Sequence, residues 1–402
     1  MTPTLEHPAA GGPQLRIENS IKALKNVCDL DLFVRVDSEQ ILSDETKNFF
    51  KPYCGHFIIA PWIFTRFRER PVLRKALRLL SLILPLQTRH EANSIIEHAD
   101  KMNIKIIWIA FGNISYSLIR RLRRLRPDLK LICDTDSIWS RFILRELPYA
   151  HGLRKIQIWF RGKWKEHEEK TGLNNCDITT AVSSFDGEYY QSLCENTEKI
   201  RLFSNVIDLD TYANRSKNTL DIKKPSIYLA GTFGAPNSSM NVAARWFLNE
   251  VLPLVISEIP DIHFYIVGKN SNLEFGHLNG PGITVTGKID TVLPYLLNVS
   301  VSIVPLKFES GTRFKILEAG ACRIPIVSTT LGAEGIPVIS DEQILIADEP
   351  EQFASSVVKI IRFPELAQQL SEKCYQLIRD HYSIETLTNE ARLIFKSLER
   401  ID

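Results

Sequence analysis

Short apolar runs alternate with amphipathic stretches of helical length along this chain, and that alternation constrains the fold more than any other feature. The runs carry apolar residues at successive positions, as strands buried on both faces of a parallel sheet do. Helical segments between such strands are typical of βαβ units. The predicted strands are residues 32–36, 104–109, 130–133, 178–182, 227–230, 263–267, 301–304 and 324–327. The sequence therefore predicts an α/β fold.

The strand pattern restarts after a polar stretch over residues 214–225, and a new strand opens at Ile227. A chain of 402 residues is too long for one ordinary domain and long enough for two. We therefore predict two Rossmann-like domains, residues 1–206 and residues 207–384.

The composition excludes several classes of protein. The formal net charge is +2, too small for the whole chain to act as a nucleic-acid binder. The seven cysteines are odd in number and lack CxxC spacing, so neither a disulfide framework nor structural zinc is expected. The nine histidines show no HxxxH or HExxH spacing, which predicts no metal site. Because the start of the chain has no apolar leader, we expect a cytoplasmic protein.

Basic residues dominate between Arg66 and Lys130, and two interpretations of this asymmetry stay open. An interfacial helix in peripheral contact with the inner face of a membrane would combine leucines with cations in this way. A solvated helix that packs its leucines on the N-terminal sheet would do the same. The residues concerned are Leu77, Leu79, Leu80, Leu82, Leu84, Arg70, Arg74, Lys75 and Arg78.

Three aromatic residues, Trp159, Phe160 and Trp164, fall in a helical stretch that ends near Lys170. Aromatic residues at helical spacing belong to the core more often than to a binding platform. We therefore expect these three side chains to be buried.

Two glycine-rich turns stand near the start of each half, one at Gly11 and Gly12 and one over residues 231–237. The second turn leaves a predicted strand and enters a predicted helix. Open α/β sheets bind ligands at such turns, at the carboxyl ends of their strands. Neither turn matches the GxGxxG fingerprint, so each one alone also fits an ordinary tight turn.

A segment after the predicted strand 301–304 combines small residues with the start of a helix. Ser310 or Thr312 is the predicted cap of this helix. Gly311 would let a ligand approach the backbone closely. Unpaired amides and the positive end of the helix dipole make such a helix start an anion-binding site.

Two cations, Arg313 and Lys315, stand in the first turn of the same helix. The helix dipole disfavours cations there by roughly 0.3–1 kcal/mol each. A sequence that accepts this cost is expected to bind an anion. The alternative is a solvated ion pair between Lys315 and Glu318, three positions further on.

The run from Gly231 to Gly335 resembles the C-terminal domain of the group 1, or family 4, glycosyltransferases. Four pieces in this order carry the resemblance: residues 231–237, 261–268, 285–290 with Leu296, and 311–335. The N-terminal half is similar at Gly11-Gly12 with Arg16, at residues 180–183 and at residues 205–208. The resemblance implies the GT-B fold, in which two Rossmann-like domains face each other across a cleft. It also implies that residues 385–402 form a helix returning to the N-terminal domain.

Members of that family transfer a sugar from a nucleotide donor with retention of anomeric configuration and normally need no bound metal. The resemblance therefore implies a metal-independent hexosyltransferase whose only cofactor-like molecule is the nucleotide-diphosphate sugar itself. The C-terminal domain would hold this donor. The N-terminal domain would hold a saccharide or lipid-linked acceptor, in polysaccharide or glycoconjugate synthesis.

The resemblance also implies a role for each matched residue. Glu318 would hold the ribose hydroxyls, and Arg313 and Lys315 would face the diphosphate. The other implied contacts are the amides of Gly311 and Thr312 and the turn at Gly231 and Thr232 for the phosphates, Gly287 for the base, Glu309 and Ser310 for the sugar, and Gly11 and Gly12 closing from the opposite domain.

The chain departs from the family pattern at three points. Ser310 stands eight positions before Glu318, where many members have a glutamate, and Glu309 is one place early. A histidine common in the N-terminal domain is missing, and Asp136 or a backbone group is expected to take its place. The residues before Gly11 make a poor first strand, which is then either clipped or upstream of Met1.

Two other functions stay open. A sugar-nucleotide epimerase shares the architecture but needs paired acid and base side chains facing the sugar, and the sequence shows no such set. A non-catalytic subunit that binds a nucleotide sugar fits the irregular glutamate spacing. The intact trio of Arg313, Lys315 and Glu318 argues against it.

Overall fold

The computed structural model describes residues 1–9, 11–36, 42–61, 86–213, 220–234 and 237–399. The leucine and arginine residues of the proposed interfacial helix, residues 70–84, lie outside this part of the chain. The strands are β1 Leu32–Val36, β2 Phe57–Pro61, β3 Ile106–Ala110, β4 Lys130–Asp134, β5 Ile178–Ala181, β6 Ile200–Leu202, β7 Ser226–Ala230, β8 His263–Val267, β9 Ile283–Val285, β10 Val301–Val304, β11 Ile326–Ser328 and β12 Leu345–Ile346.

The α-helices of the described N-terminal half are α1 Gly12–Lys25, α2 Asp44–Phe50, α3 Leu86–Met102, α4 Tyr116–Leu125, α5 Trp139–Arg145, α6 Gly152–Leu173, α7 Ser184–Leu193 and α8 Leu209–Ala213. Those that follow are α9 Ser239–Trp246, α10 Leu252–Glu258, α11 Ser271–Phe275, α12 Leu293–Leu296, α13 Phe314–Ala321, α14 Thr330–Ala333, α15 Pro350–Arg362, α16 Pro364–His381 and α17 Ile384–Leu398. A π-turn, Phe247–Val251, joins α9 to α10.

The C-terminal sheet has six parallel strands in the order β12-β11-β10-β7-β8-β9. Counted from β7 as the first strand, this is the doubly wound Rossmann order. Its strand order reverses between β7 and β10, which pair directly through Val301 and Ile227. One apolar cluster fills both faces of this sheet, as the runs of apolar residues in β7, β8 and β10 predict.

The N-terminal strands form a four-stranded sheet, β3-β4-β5-β6, and a pair, β1-β2, all parallel. Residues Met1 and Thr2 lie between the two sets: Thr2 bridges Val34 of β1, and the Ala110 amide of β3 donates to the Met1 carbonyl at 2.9 Å. The poor first strand of the sequence analysis is thus a single bridge that joins both parts of the N-terminal layer.

The last helix, α17, lies against α1 and contributes four buried residues to the apolar cluster beneath β3, β4 and β5. These residues are Leu387, Ala391, Ile394 and Leu398. Glu390 of the same helix accepts hydrogen bonds from the amide and hydroxyl of Ser204, each at 2.7 Å. The end of the described chain therefore packs with the N-terminal strands, and the exact domain bounds stay a prediction.

The expectation that the α6 aromatics are buried is wrong. The exposed fractions are 47 % for Trp159, 62 % for Phe160 and 73 % for Trp164. The side of α6 that faces the protein instead carries Ile158 and Gly162. The segment does form a helix as predicted, but the face that carries these aromatic residues points away from the core.

Candidate active site

The segment from Pro305 to Arg313, here called the β10 loop, joins β10 to α13 at the carboxyl edge of the C-terminal sheet. The turn that begins at Gly231 and Thr232 leaves the neighbouring strand, β7, at the same edge. Together they flank the point where the strand order reverses. Doubly wound sheets bind their ligands at this point.

The predicted cap of α13 is wrong. The helix begins after Arg313, which makes no side-chain capping bond. The Ser310 hydroxyl instead accepts a hydrogen bond from the Ile138 amide at 3.2 Å. The Thr312 hydroxyl donates to the Val182 carbonyl at 3.3 Å. Both side chains thus tie the β10 loop to the N-terminal half and leave the first amides of α13 without a side-chain partner.

Two glycines mark the closest approach of the halves. Gly311 has φ +82°, and a Cβ there would lie 2.8 Å from the Asp136 carbonyl oxygen. A Cβ on Gly12, at the start of α1, would lie 3.0 Å from the Phe314 ring. The predicted residues Gly11 and Gly12 therefore stand opposite the first residue of α13, on the N-terminal side of the cleft.

Arg313 is a buried cation with unmet hydrogen-bonding capacity. Its side chain is only 5 % exposed. Nη2 donates to the Leu331 carbonyl at 3.4 Å, while Nε and Nη1 have no hydrogen-bond partner among the described residues. Burial lowers the pKa of Arg313, and each buried unpaired donor costs about 1–3 kcal/mol. Such a group is arranged to receive acceptor oxygens from a ligand.

Lys315 follows on the first turn of α13 and is half-buried. The structure gives it no hydrogen bond or ion pair within the described ranges, so the alternative pair with Glu318 does not form. Desolvation lowers the pKa of Lys315, with Glu309 and Glu318 acting against that shift and Arg313 adding to it. Lys315 therefore supplies a second cation, two residues after Arg313, that forms no ion pair within the described ranges.

Two acids that sequence reasoning did not assign surround Arg313. Asp186, on the first turn of α7, is 2 % exposed, and its Oδ2 lacks a partner among the described residues. Burial raises the pKa of Asp186 to about 6, opposed by the charge of Arg313. Glu334 and Glu309 also raise the pKa of Arg313. The guanidinium is thus balanced by charge at a distance rather than by a paired carboxylate.

Arg145, at the end of α5, forms an ion pair across the cleft. Its guanidinium pairs with both Glu334 oxygens at 2.6 and 2.7 Å and donates to the Glu309 carbonyl at 2.6 Å. Nearby, Tyr149 stacks on Phe308. Glu334 lies inside one of the matched family pieces, but no local pattern marks Arg145, because it is one of many arginines in the N-terminal half.

Glu318 sits on the second turn of α13 and accepts a hydrogen bond from the Tyr212 hydroxyl at 3.1 Å. Burial raises the pKa of Glu318 to about 7, with the Tyr212 bond and the Lys315 charge acting against it. The buried hydroxyl of Tyr228 on β7 has no partner among the described residues. Glu318 can accept hydrogen bonds from a ligand when it is ionised.

Glu309 connects the β10 loop to the start of α9, the helix that follows the β7 turn. Its Oε2 accepts a hydrogen bond from the Ser239 hydroxyl at 2.7 Å, and its Oε1 accepts one from the Ser310 amide at 3.3 Å. Gly231 lies at the base of that turn, where a Cβ would come within 2.7 Å of Met240. The Glu309 carboxylate, which is predicted to contact the sugar, is thus held in place by Ser239 and Ser310.

Gly287 lies apart from this group, on the loop after β9. Its φ is +72°, its amide donates to the Ser271 hydroxyl at 2.9 Å, and its carbonyl accepts from the Gly268 amide at 3.1 Å. With both backbone groups occupied, Gly287 can shape the turn beside a base. Backbone contacts to a base would fall to the exposed Lys288 that follows.

Asp136 is fixed on the N-terminal side of the cleft. Its Oδ1 accepts hydrogen bonds from Asn113 Nδ2 at 2.8 Å and from Trp139 Nε1 at 3.3 Å. Burial raises the pKa of Asp136, opposed first by the Asn113 hydrogen bond and then by the charge of Arg16. Arg16 itself is buried and paired with Asp134. Together these bonds fix the loop that contacts Gly311.

Among the described residues, one group of side chains could hold a metal ion, and it lies away from the cleft. Ligand atoms of Asp31, His56 and His98 fall within 4.8 Å of one another. Asp31 Oδ1 is 3.1 Å from His56 Nδ1, and Asp31 Oδ2 is 2.8 Å from His98 Nε2. Because Asp31 and His56 precede β1 and β2, the group occupies the amino edge of the sheet, opposite to the β10 loop.

The described helices include none long and apolar enough to cross a membrane. Two surface cavities, of about 380 and 290 Å³, lie against α15 and beside α10, away from the cleft. At the cleft itself the loops of the two halves touch directly.

Comparison with known proteins identifies the C-terminal half. Residues 224–362 match the family model "Glycosyl transferases group 1", which confirms the resemblance for the segment from β7 to α15. A curated relative, an "uncharacterized 44.6 kDa protein in cps region" of Klebsiella pneumoniae, is 26 % identical over 171 residues. This match covers 40 % of the chain and 44 % of the relative, so it spans less than half of either protein.

Solved structures confirm the GT-B fold over the whole length. Sucrose-phosphate synthase from Thermosynechococcus elongatus is 16 % identical, with a TM-score of 0.72 over 100 % of this chain and 99 % of that one. HepE from Anabaena, crystallised with UDP and glucose, is 11 % identical, with a TM-score of 0.65 over 98 % of this chain and 99 % of that one. Identities this low establish the fold alone.

Proposed function

Because residues 224–362 form a group 1 glycosyltransferase domain within a GT-B fold, we propose that this chain transfers a hexose from a nucleoside-diphosphate donor to a saccharide or lipid-linked acceptor. Transfer proceeds with retention of the anomeric configuration. The acceptor belongs to polysaccharide or glycoconjugate synthesis, as the cps-region origin of the similar Klebsiella protein suggests.

One observation carries this proposal: the buried guanidinium of Arg313 has two nitrogens without a partner in the described part of the chain. Buried nitrogens without hydrogen-bond partners are costly, and an anionic ligand that accepts from them would offset that cost. The helix start of α13 and the half-buried Lys315 add further attraction for an anion at the same place. A diphosphate has the charge and the number of acceptor oxygens to satisfy all three.

Glu318 is placed to select a nucleotide rather than a free diphosphate. It lies one turn along α13 from Lys315, so a ribose attached to the diphosphate would reach its carboxylate. The Tyr212 hydrogen bond fixes Oε1 in position. The solved structure of HepE with UDP and glucose supports a uridine donor as the first candidate.

The reaction that follows is a leaving-group displacement assisted by fixed charges. The bond between the anomeric carbon and the β-phosphate oxygen breaks as the acceptor oxygen bonds to the same face of that carbon. The acceptor proton passes to the departing diphosphate. Arg313, Lys315 and the α13 amides stabilise the charge that grows there, and each such donor contributes on the order of 3 kcal/mol to lowering the barrier.

No step of this proposal needs a metal ion. The group of Asp31, His56 and His98 lies at the opposite edge of the N-terminal sheet, where it cannot touch the diphosphate. Chelation with EDTA is therefore expected to leave transfer unchanged.

Nucleoside diphosphate release from a panel of UDP-, GDP- and dTDP-sugars tests the proposed function. We expect release with one donor class, and loss of at least a hundredfold in rate for Lys315→Ala. Lys359→Ala, which removes an exposed lysine paired with Asp341, is the matched control and should behave like the wild type. Interconversion of donors without release would indicate an epimerase. Donor binding without either reaction would indicate a non-catalytic subunit.

A further inference from the structure

The helix α6, Gly152–Leu173, exposes five large apolar side chains. Their exposed fractions are 78 % for Leu153, 54 % for Ile156, 47 % for Trp159, 62 % for Phe160 and 73 % for Trp164. The ring contacts of Trp159, Phe160 and Trp164 are all with residues of the same helix. Exposed apolar groups in one contiguous patch mark a binding surface, whereas single ones do not.

The spacing of four of these residues places them on one face, and Trp159 lies about 60° to one side of it. At about 100° per residue, Leu153, Ile156, Phe160 and Trp164 fall within an arc of about 80°. The buried residues Ile158, Gly162 and Glu169 lie on the opposite side of the helix. The helix thus has two apolar faces, and only the inner one is covered by described residues.

Cations outnumber acids along α6, and Glu166 and Glu168 pair with Lys163 and Lys165 at 2.7 and 2.6 Å. Residues 152–165 contain the five cations Arg154, Lys155, Arg161, Lys163 and Lys165 and no acid, and the first acid of the helix is Glu166. By the same helical geometry, Arg161 and Lys163 flank the apolar arc on its two sides. Long basic side chains at these positions can reach past the apolar groups toward negative charge.

We propose that this outer face of α6 binds the surface of an anionic lipid bilayer. Tryptophan and phenylalanine suit the boundary between head groups and acyl chains, because their rings are large and the indole carries a polar N–H. A rim of cations complements the negative head groups. An acidic protein surface is the competing occupant, because the same cations would pair with its carboxylates, and the vesicle experiment below distinguishes the two.

The position of the face relative to the cleft connects it to the reaction. A Cβ on Gly162 would lie 2.4 Å from the Leu144 side chain, so α6 packs directly on α5. Arg145 of α5 in turn contacts Glu309 and Glu334. The bilayer would therefore lie one helix layer, about 10 Å, from the helix that borders the β10 loop. Resting on the proposed function, this geometry selects a lipid-linked acceptor.

Co-sedimentation with vesicles tests this inference. We expect the wild type to bind vesicles of phosphatidylglycerol with phosphatidylcholine, to bind phosphatidylcholine alone at least tenfold more weakly, and to be released by high salt. The double variant Phe160→Glu, Trp164→Glu should lose at least tenfold in vesicle affinity. Leu273→Glu, at a leucine 75 % exposed on the C-terminal half, is the matched control and should bind as the wild type does.

Nucleoside diphosphate release by hydrolysis of a soluble donor, without vesicles, separates this inference from the proposed function. The double variant should retain that release, which also shows that it is folded. Equal vesicle binding by the wild type and the double variant would overturn the inference while leaving the glycosyltransferase proposal intact. Self-association of the wild type that the double variant abolishes, with no vesicle binding, would identify a protein partner instead.

Discussion

At the scale of single residues, burial shifts the pKa values of three charged groups in the candidate site. Burial lowers the pKa of Arg313 and Lys315 and raises the pKa of Glu318 to about 7. Burial thus disfavours the charged form of each group. A bound nucleotide would supply negative charge to the two cations and hydroxyl donors to the carboxylate.

The pH dependence of donor affinity follows from the shift of Glu318. Only the ionised carboxylate accepts strong hydrogen bonds from two ribose hydroxyls, so affinity should rise as pH increases through about 7. Between pH 6 and pH 8 the ionised fraction, and with it the association constant, increases about tenfold. The association constant is measured at each pH by calorimetric titration with a nucleotide sugar, whose phosphates do not change their protonation in this range. In Glu318→Gln, donor affinity should not change with pH. A pH dependence that persists in this variant would show that another group causes it.

Three charged residues predicted from the sequence lie close together in the chain. Arg313, Lys315 and Glu318 stand within six positions on one helix start, where local pattern and family resemblance coincide. Arg145 and Asp186 come from α5 and α7 and meet this helix only in three dimensions. No spacing rule connects residues so far apart in the chain.

At the scale of elements, sequence patterns identified the interior strands and missed four of the six edge strands in the described sheets. The strands β2, β6, β9 and β12, which were not predicted, each lie at the edge of their sheet in the described topology. Edge strands are short and half-covered, so their apolar signal is weak. The start of α13 was misjudged for a different reason, because Ser310 and Thr312 bond to the N-terminal half rather than to their own helix.

The β10 loop gives a prediction at this scale. In Gly311→Ala, the new Cβ would lie 2.8 Å from the Asp136 carbonyl, so the loop must move away from the N-terminal side. We expect nucleoside diphosphate release to fall at least tenfold, together with about 1–2 kcal/mol of stability from the positive φ. Gly152→Ala, with φ +55° and nothing within 4 Å, shares the backbone strain without the contact. Equal activities for the two variants would show that this contact does not matter.

At the scale of the whole molecule, the carboxyl edges of both parallel layers meet at one loop. Residues 136–138 follow β4, Val182 follows β5 and Asn205 follows β6, and all of these reach the β10 loop. The predicted pair of Rossmann-like domains implies this arrangement, because parallel strands present their carboxyl ends together. It did not anticipate how closely the loops pack, since packing depends on side chains from both halves at once.

The return of α17 to the N-terminal strands gives a stability prediction. Ile394 is fully buried with Trp108 and Phe203, whereas its neighbour Leu393 is 62 % exposed. Ile394→Ala should therefore lower the free energy of unfolding by about 2–5 kcal/mol. Leu393→Ala should change it by no more than about 0.5 kcal/mol. Urea unfolding followed by circular dichroism measures both, and similar losses would mean that α17 is not packed in this core.

The central claim is that Arg313 holds a nucleoside diphosphate, and calorimetric titration with UDP, GDP and dTDP tests it most directly. We predict that one of these binds the wild type and Arg362→Met, which alters an exposed arginine paired with Glu258. Arg313→Met should bind it on the order of ten- to a hundredfold more weakly, because a charged hydrogen bond contributes about 1.5–3 kcal/mol. Unchanged affinity in a folded Arg313→Met protein would contradict the assignment of this site.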